Sequence, residues 1–336
     1  MVEALIEALI EIGIGETRAL VTDGGRVVEA HVERGDDGLR AGDVWDARLT
    51  AILAPGRGIV RAGDYEALLE PLPPGLTEGA LLRVEIAREA LPEARRPRLA
   101  KARAVPGAGR EPGKVRAGPD LVARLRERGF TLREVTRFGP DDLEAAGWSE
   151  LLDQAATGHV PFDGGLLTIS PTPAMTVIDV DGALPPVQLA RAAAVAVAHA
   201  IRCFDLTGSI VIDFPGTDRA ARAEIAALLD AHLPPPFERT AVNGFGLLQI
   251  VRPRRRASLI ERIQGEPVPS AALALLRQAE RGGGSGGTCT LTAGPAVAGW
   301  LAARAGLLAE LERRIGASVR LQADARLAIS AGHVHA

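Results

Sequence analysis

Two short apolar runs, each followed by an aspartate, decide the fold of this chain: MTVIDVDG, residues 175–182, and GSIVIDF, residues 208–214. Both runs are rich in β-branched and aliphatic residues, which predicts two buried strands. Residues 186–204 between them are rich in alanine and are long enough for about four turns of helix. The sequence therefore predicts a strand, a crossover helix and a second strand.

Three aspartates mark the ends of these two strands. Side chains i and i+2 share one face of a strand, so Asp179 and Asp181 should point the same way, with Asp213 as a third oxygen donor. Magnesium needs one or two carboxylates, because water and substrate phosphate can complete its octahedron. The alternative is that each aspartate only forms a turn or caps a helix, which is the commoner role of a single aspartate there.

The sequence around these aspartates resembles the catalytic region of the ribonuclease E/G family of bacterial endoribonucleases. The segments that carry the resemblance are TVIDVDG at 176–182, RAAAVAVAHAIRCFDLTGSIVIDFPG at 191–216 and FGLLQIVRPRRRASL at 245–259. The resemblance implies that Asp179 and Asp213 hold a magnesium ion that activates water against an RNA phosphodiester. Asp181 stands where the family has an asparagine, which keeps an oxygen donor and adds a negative charge. Gly244 stands where the family has a basic residue, so the resemblance supplies no phosphate contact there.

A basic cluster follows the predicted strand over 245–251. Because this strand should return to the sheet that carries the aspartates, we expect the cluster to grip the scissile RNA strand. The alternative is a solvated face or pairing with acids. The predicted RNA-binding residues are Arg252, Arg254, Arg255, Arg256, Phe245 and Arg202.

The composition limits how RNA could be bound. The chain has 336 residues, 47% of them hydrophobic, which is enough for about two domains with real cores. Its formal net charge is −3, so there is no general basic field, and RNA contacts must come from local patches. Aromatic residues are only 3% of the chain, which argues against extensive base stacking.

We predict an α+β, or mixed α/β, architecture with five parts. By resemblance, an OB-like barrel is inserted next to a mixed-sheet catalytic core of the DNase-I-like type. Residues 1–34 should be strands that join the core, with a hairpin turn at Asp23 to Gly25. The other parts are the OB-like barrel at 35–105, a basic linker at 106–118, the catalytic nuclease core at 119–262 and a small C-terminal α/β domain at 266–336.

The chain departs from the resembled family in three places. Ile59, and Leu68 or Leu69, stand where the family's barrel presents phenylalanines, so RNA binding there should be weaker or purely electrostatic. A block of roughly a hundred residues that holds the family's pocket for an RNA 5′-monophosphate is replaced by the basic linker, a solvated connection or a mobile basic arm. Residues 264–267 read Gln-Gly-Glu-Pro where the family has its zinc-binding cysteine pair, so we expect no zinc.

The C-terminal part predicts the order α-β-α-β-β. The glycine-rich stretch from Gly282 to Gly287 is interpreted as a flexible linker, and His333 and His335 as residues of a frayed tail without a function. Cys203 and Cys289 are far apart and form no metal-type pair. With no signal peptide and no apolar run of about 20 residues, we expect a cytoplasmic protein without a membrane contact.

These expectations combine into a function. We predict a shortened ribonuclease E/G relative that cleaves single-stranded RNA with Mg²⁺, or with Mn²⁺ as the alternative ion. A homodimer, if it forms, would be held by apolar packing of the 266–336 segment. The competing interpretations are a catalytically silent paralogue that binds RNA or a protein, and another metal-dependent phosphohydrolase that acts on nucleotides.

Overall fold

The described part of the chain forms four β-sheets joined by helices. The structure is a computed structural model and describes residues 6–35, 38–93, 97–107, 111–282 and 287–335. Three antiparallel strands begin the fold: β1 (Glu7–Ile12), β2 (Glu16–Asp23) and β3 (Arg26–Arg34). Gly24 and Gly25 form the turn between β2 and β3 with φ angles of 57° and 82°, so the predicted hairpin is confirmed.

A closed five-stranded barrel follows, with a sixth strand on its outside. These strands are β4 (Val44–Ala54), β5 (Arg57–Ala62), β6 (Tyr65–Leu69), β7 (Leu81–Arg88), β8 (Ala100–Ala104) and β9 (Gly113–Arg116). The barrel order is β5-β6-β8-β7-β4, closed by pairing of β4 with β5, and only β6 and β8 run parallel within it. This arrangement is consistent with the predicted OB-like barrel.

The prediction of a basic linker at 106–118 is wrong in part. Residues 113–116 form β9, which pairs antiparallel with Val44 to Asp46 of the barrel. The carboxylate of Asp43, which is fully buried, accepts hydrogen bonds from the backbone N–H of Gly118 at 2.8 Å and of Arg40 at 3.1 Å. Because this acid also lies 3.1 Å from Lys114 Nζ, it ties the segment to the barrel. Residues 108–110 of the predicted linker lie outside the described residues.

The next segment completes the N-terminal sheet. Its elements are α1 (Leu121–Glu127), β10 (Thr131–Glu134), α2 (Asp142–Ala145) and α3 (Trp148–Thr157). Strand β10 pairs in parallel with β1 and gives the order β10-β1-β2-β3. Leu121 and Leu125 of α1 pack under this same sheet. Residues 119–134 therefore pack with the N-terminal strands, although the sequence assigned them to the catalytic core.

The core is a six-stranded mixed sheet with the order β11-β12-β13-β14-β16-β15. Its elements are β11 (His159–Phe162), β12 (Gly165–Pro171), β13 (Thr176–Gly182), α4 (Pro186–Cys203), β14 (Gly208–Asp213), α5 (Arg219–His232), β15 (Glu238–Arg239), β16 (Leu247–Arg252) and α6 (Leu259–Gly265). Only β13 and β14 pair in parallel, and α4 connects them, which confirms the predicted strand, helix and strand. The DNase-I-like character of this core stays a prediction.

One face of the core sheet is packed and the other is open. Ile178, Ile210 and Ile212 are buried in the main hydrophobic cluster with the alanines of α4. Small alanine side chains let α4 lie close to the sheet, and Leu20 and Ala30 of the N-terminal sheet belong to the same cluster. The residues that alternate with these isoleucines face outward, so the strands leave an open surface for a site.

The C-terminal segment is a small α/β unit. It contains α7 (Pro267–Gly282), β17 (Thr288–Ala293), α8 (Pro295–Ala302), α9 (Ala305–Ile315), β18 (Ser318–Ala323) and β19 (His333–His335). The predicted order is confirmed, except that two helices stand where one was predicted and that the last strand, predicted at 326–332, is formed by residues 333–335. His333 and His335 lie in β19, which pairs with β17, so the prediction of a frayed tail was wrong. Residues 283–286 of the predicted flexible linker lie outside the described residues.

A buried ion-pair network joins α7 to the N-terminal sheet. Arg18 is 1% exposed and lies 2.9 Å from Glu11 and 2.8 Å from Glu16. Arg277 and Arg281 of α7 reach the same Glu11 carboxylate at 2.7 and 3.3 Å. Arg18 has both of its acidic partners within the N-terminal sheet, whereas Arg277 and Arg281 reach Glu11 only when α7 is packed against this sheet. Among the described residues, no helix has the length and hydropathy of a membrane span.

Candidate active site

Asp179 and Asp213 lie side by side on the open face of the core sheet. They are register partners on the parallel strands β13 and β14, and both are exposed. Neighbouring strands are about 4.8 Å apart, so the two carboxylates can approach a shared ligand. The backbone N–H of Val180 donates to Asp179 Oδ1 at 3.0 Å, which orients that carboxylate. The predicted meeting of these two acids on neighbouring strands is confirmed, although Asp179 lies in the middle of β13 and only Asp213 is at a strand end.

Asp181 extends the acidic face along β13. It is exposed like Asp179, while Val180 between them is buried, so the predicted shared face is confirmed. Within the described ranges, no three His, Cys, Asp or Glu side chains are gathered so that they could hold a metal ion. A magnesium ion fits the donor set, because it needs one or two carboxylates and takes its other oxygens from water and phosphate.

Phe245 lies on the loop that enters β16, two residues before Leu247, which is the register partner of Asp213. Its ring is 88% exposed. The side chain of Asn243 holds the loop by accepting from the N–H groups of Phe245 at 2.9 Å and Leu247 at 3.0 Å. Gly246 has a φ of 90°, and a Cβ there would lie 2.4 Å from the Phe214 oxygen and 3.7 Å from Asp213 Oδ1. Glycine is thus required at 246 by the positive φ and by the close approach to the Phe214 carbonyl.

Comparison with known proteins supports this region as a functional unit. Residues 134–255 match the ribonuclease E/G family. The match covers less than half of the chain. A search of curated proteins found no match. The barrel and the C-terminal α/β segment lie outside the matched residues, whereas the aspartates and the Phe245 loop lie inside them.

The ribonuclease E/G segment also contains a basic residue that the sequence interpretation missed. Arg222 of α5 places Nη1 3.6 Å from the point where a Cβ of Gly244 would be, and it donates to the Asn243 carbonyl at 3.0 Å. A cation is therefore present beside Gly244, although residue 244 carries none. Spacing along the chain gave no signal for it, because Arg222 and Gly244 meet only in the folded structure.

The arginine cluster of the ribonuclease E/G segment lies at the other end of the sheet. Arg252 pairs with Gly208, whereas Leu247 pairs with Asp213, so the start of the cluster is offset from the acids by five positions along β16. At about 3.4 Å per residue this separation is about 17 Å. The structure therefore does not bring the cluster together with the scissile position, and its contact with RNA stays a prediction.

Several arginines of the cluster are only partly bonded. The Nη1 of Arg252 donates to the Leu206 carbonyl at 2.9 Å, and Arg254 pairs with Glu261. Arg256 Nε is 3.9 Å from Glu89, and Arg255 is exposed. The Nε atoms of Arg252, Arg254 and Arg256 are buried without a hydrogen-bond partner among the described residues. Because these Nε atoms have almost no accessible surface, they offer no donor to an anion that approaches from solvent.

Arg202 is engaged elsewhere in the fold. Its Nε lies 3.3 Å from Glu29, whose carboxylate also accepts from both Nη atoms of Arg128 at 2.7 and 2.6 Å. Burial alone would raise the pKa of Glu29, but hydrogen bonds from His31 and Arg128 bring this pKa well below its usual range. Arg202 thus has a buried acidic partner at the junction of β3 and α4, and its predicted RNA contact is untested.

Proposed function

We propose that this protein is a magnesium-dependent endoribonuclease that cleaves single-stranded RNA. The observation that carries the proposal is the direct register of Asp179 with Asp213 on an open sheet face, inside a segment of the ribonuclease E/G family. Two carboxylates at this spacing are a suitable holder for one hard cation. Manganese, which prefers the same oxygen donors, is the alternative ion.

The residues of the site would have different roles in the reaction. Asp179 and Asp213 would hold the cation, and Asp181 would add negative charge beside it. A bound magnesium ion would supply polarisation of the phosphate and a water of lowered pKa, for in-line attack that leaves a 5′-phosphate product. The exposed ring of Phe245 offers a face on which a base next to the cleaved bond can stack, worth about 1–3 kcal/mol.

The rest of the RNA would be held mainly by charge. In the barrel, Leu69 is buried in the core, and Ile59 and Leu68 are partly buried, so these positions present no stacking ring. The cluster at Arg252 to Arg256 would attract phosphates about 17 Å from the aspartates. Binding should therefore depend strongly on salt.

Substitution of either aspartate tests the proposal. We expect Asp179→Asn and Asp213→Asn each to reduce magnesium-dependent cleavage of labelled single-stranded RNA by several orders of magnitude, because the amide removes the charge that holds the cation. Both side chains are exposed, so the melting temperature should stay unchanged. Glu224→Gln, which alters an exposed acid of α5, is the matched control. Full activity in either aspartate variant would contradict the assignment.

We propose no zinc site in this protein. The two cysteines, Cys203 and Cys289, are buried and unpaired, and residues 264–267 pass from α6 into α7 without a cysteine. We expect the purified protein to contain no stoichiometric zinc, and chelators to leave its quaternary state unchanged, so a homodimer would be held by apolar packing. Elemental analysis that finds half a zinc ion per chain would overturn this expectation.

A further inference from the structure

Arg222 is placed at the acidic site by the connection from β14 to α5. The five residues 214–218 lead from Asp213 into the helix, and Asp218 caps it by accepting from the N–H of Ala221 at 2.8 Å. Arg222 therefore lies in the first turns of α5, close to where the strand with Asp213 ends. Its guanidinium reaches across to the Phe245 loop through the bond to the Asn243 carbonyl at 3.0 Å.

The loop that receives this guanidinium is fixed to the end of β14. The N–H of Phe214 donates to the Gly246 carbonyl at 3.2 Å, and the N–H of Gly246 donates to the Asn243 carbonyl at 3.2 Å. Asn243 therefore uses its backbone carbonyl for both Gly246 and Arg222. A guanidinium bonded to this turn is held at the edge of the acidic face rather than swinging freely in solvent.

The charge of Arg222 has no acidic partner in the described part of the chain. Two other arginines that contact α5 do have one, since Arg191 pairs with Glu224 at 2.7 Å and Arg239 pairs with Asp230. A guanidinium carries five N–H donors and keeps its charge at all relevant pH values. Within the described residues, Arg222 uses one of the five, for Asn243. The Thr217 hydroxyl, in the connection between β14 and α5, is buried and has no hydrogen-bond partner among the described residues.

The acidic face needs such a cation when RNA approaches. Asp179, Asp181 and Asp213 repel a phosphate group, and one divalent ion offsets only part of this repulsion. We propose that Arg222 binds a non-bridging oxygen of the RNA phosphate at the Asp179 and Asp213 pair. This inference rests on the proposed function and adds a charge-assisted contact that strengthens as negative charge develops on the phosphate.

Arg222→Ala, Arg222→Gln and Arg222→Lys test the inference in the full-length protein. We expect Arg222→Ala to lower kcat for RNA cleavage about 100-fold. Arg222→Gln keeps a donor for the Asn243 carbonyl and should lose as much, whereas Arg222→Lys should keep part of the rate because it keeps the charge. Added guanidinium chloride at low millimolar concentration should restore part of the rate of Arg222→Ala only. A residue that merely supports the loop would show rescue by glutamine and none by guanidinium.

Arg313→Ala is the matched control, because it removes one exposed arginine of α9, 70% exposed at the side chain and distant in the fold. Its cleavage rate should equal that of the wild type.

Two outcomes separate the Arg222 inference from the proposed function. If the wild type cleaves RNA, Asp213→Asn does not, and Arg222→Gln keeps the wild-type rate, the Arg222 inference fails alone. If the wild type shows no metal-dependent cleavage, the proposed function fails. Arg222 is then judged by RNA binding without metal, where Arg222→Gln should reduce the salt slope by about 0.7, and an unchanged slope overturns the inference.

Discussion

At the scale of single residues, Arg202 was predicted to bind RNA, but the structure gives it a buried ion-pair partner, Glu29. It is 4% exposed and accepts from His31, Arg128 and Arg202. Glu29→Gln would leave the facing guanidinium groups without their charge partner. We expect it to lower the free energy of unfolding by about 3 kcal/mol at pH 7, measured by urea denaturation.

The pH dependence of this loss follows from the lowered pKa of Glu29 in the folded state. Because the pKa of Glu29 is lower in the folded state, its ionised carboxylate stabilises the protein at pH values above the unfolded-state pKa of about 4.3. This stabilisation is lost as the pH falls through the folded-state pKa. The difference between wild type and Glu29→Gln should therefore be largest above about pH 5 and shrink below about pH 4. Glu224→Gln, at a side chain 46% exposed, should cost less than about 1 kcal/mol at every pH. A pH-independent difference for Glu29→Gln would contradict the ion-pair account.

The aspartates could be predicted from the sequence, and Arg222 could not. Alternation of buried isoleucines with exposed acids is local, so Asp179, Asp181 and Asp213 follow from a period of two along each strand. The neighbourhood of Arg222 and Gly244 depends on how α5 packs beside the loop, which no local pattern records. The arginine cluster was placed in the correct sheet, but the antiparallel direction of β16 carries Arg252 away from Asp213.

At the scale of elements, β9 shows a segment of linker-like composition that is ordered by one buried acid. Burial would raise the pKa of Asp43, but hydrogen bonds from the backbone N–H groups of Gly118 and Arg40, and from Lys114, lower it. We expect Asp43→Asn to weaken these contacts and release residues 111–118 from the barrel. Limited trypsin digestion with mass spectrometry should then show faster cleavage after Lys114 and Arg116.

Glu85→Gln is a suitable control for this experiment, because Glu85 is a barrel acid that pairs with Arg103 rather than with β9. Its cleavage pattern should match that of the wild type. Equal protection of Lys114 in Asp43→Asn would show that β9 is held by its ladder with β4 alone. The segment is rich in Gly, Pro, Lys and Arg, and this composition predicted a linker. The prediction failed because the strand that pairs with β9 lies more than sixty residues earlier in the chain, where no local pattern shows it.

At the scale of the whole molecule, the segment between β8 and α1 bears on how RNA would be selected under the proposed function. The described residues between β8 and α1 are a short connection and β9, and Lys114 is already engaged by Asp43 and by the ring of Trp45 at 5.0 Å. Such a segment can attract phosphates but offers no fixed cavity that distinguishes one terminal phosphate from three.

We therefore expect cleavage rates that do not depend on the 5′ end of the RNA. The measurement compares one RNA that carries a hydroxyl, a monophosphate or a triphosphate at that end. Binding should weaken by about 0.7 log units per log unit of salt for each phosphate contacted. A clear preference for the monophosphate would contradict this expectation and reveal a sensing site elsewhere.

The network of Glu11, Arg18, Arg277 and Arg281 has a consequence for how the protein is made. Arg277 lies 266 residues after the Glu11 that it pairs with. At about 5–20 residues per second, the ribosome needs roughly 13–53 seconds to cover that distance. During this interval Arg18 has its acidic partners Glu11 and Glu16 on β1 and β2, but Glu11 still lacks the two arginines of α7. The strand β1 thus reaches its full set of native contacts only after α7 has been made, and a chaperone that meets the nascent chain before then would find Glu11 without these two partners.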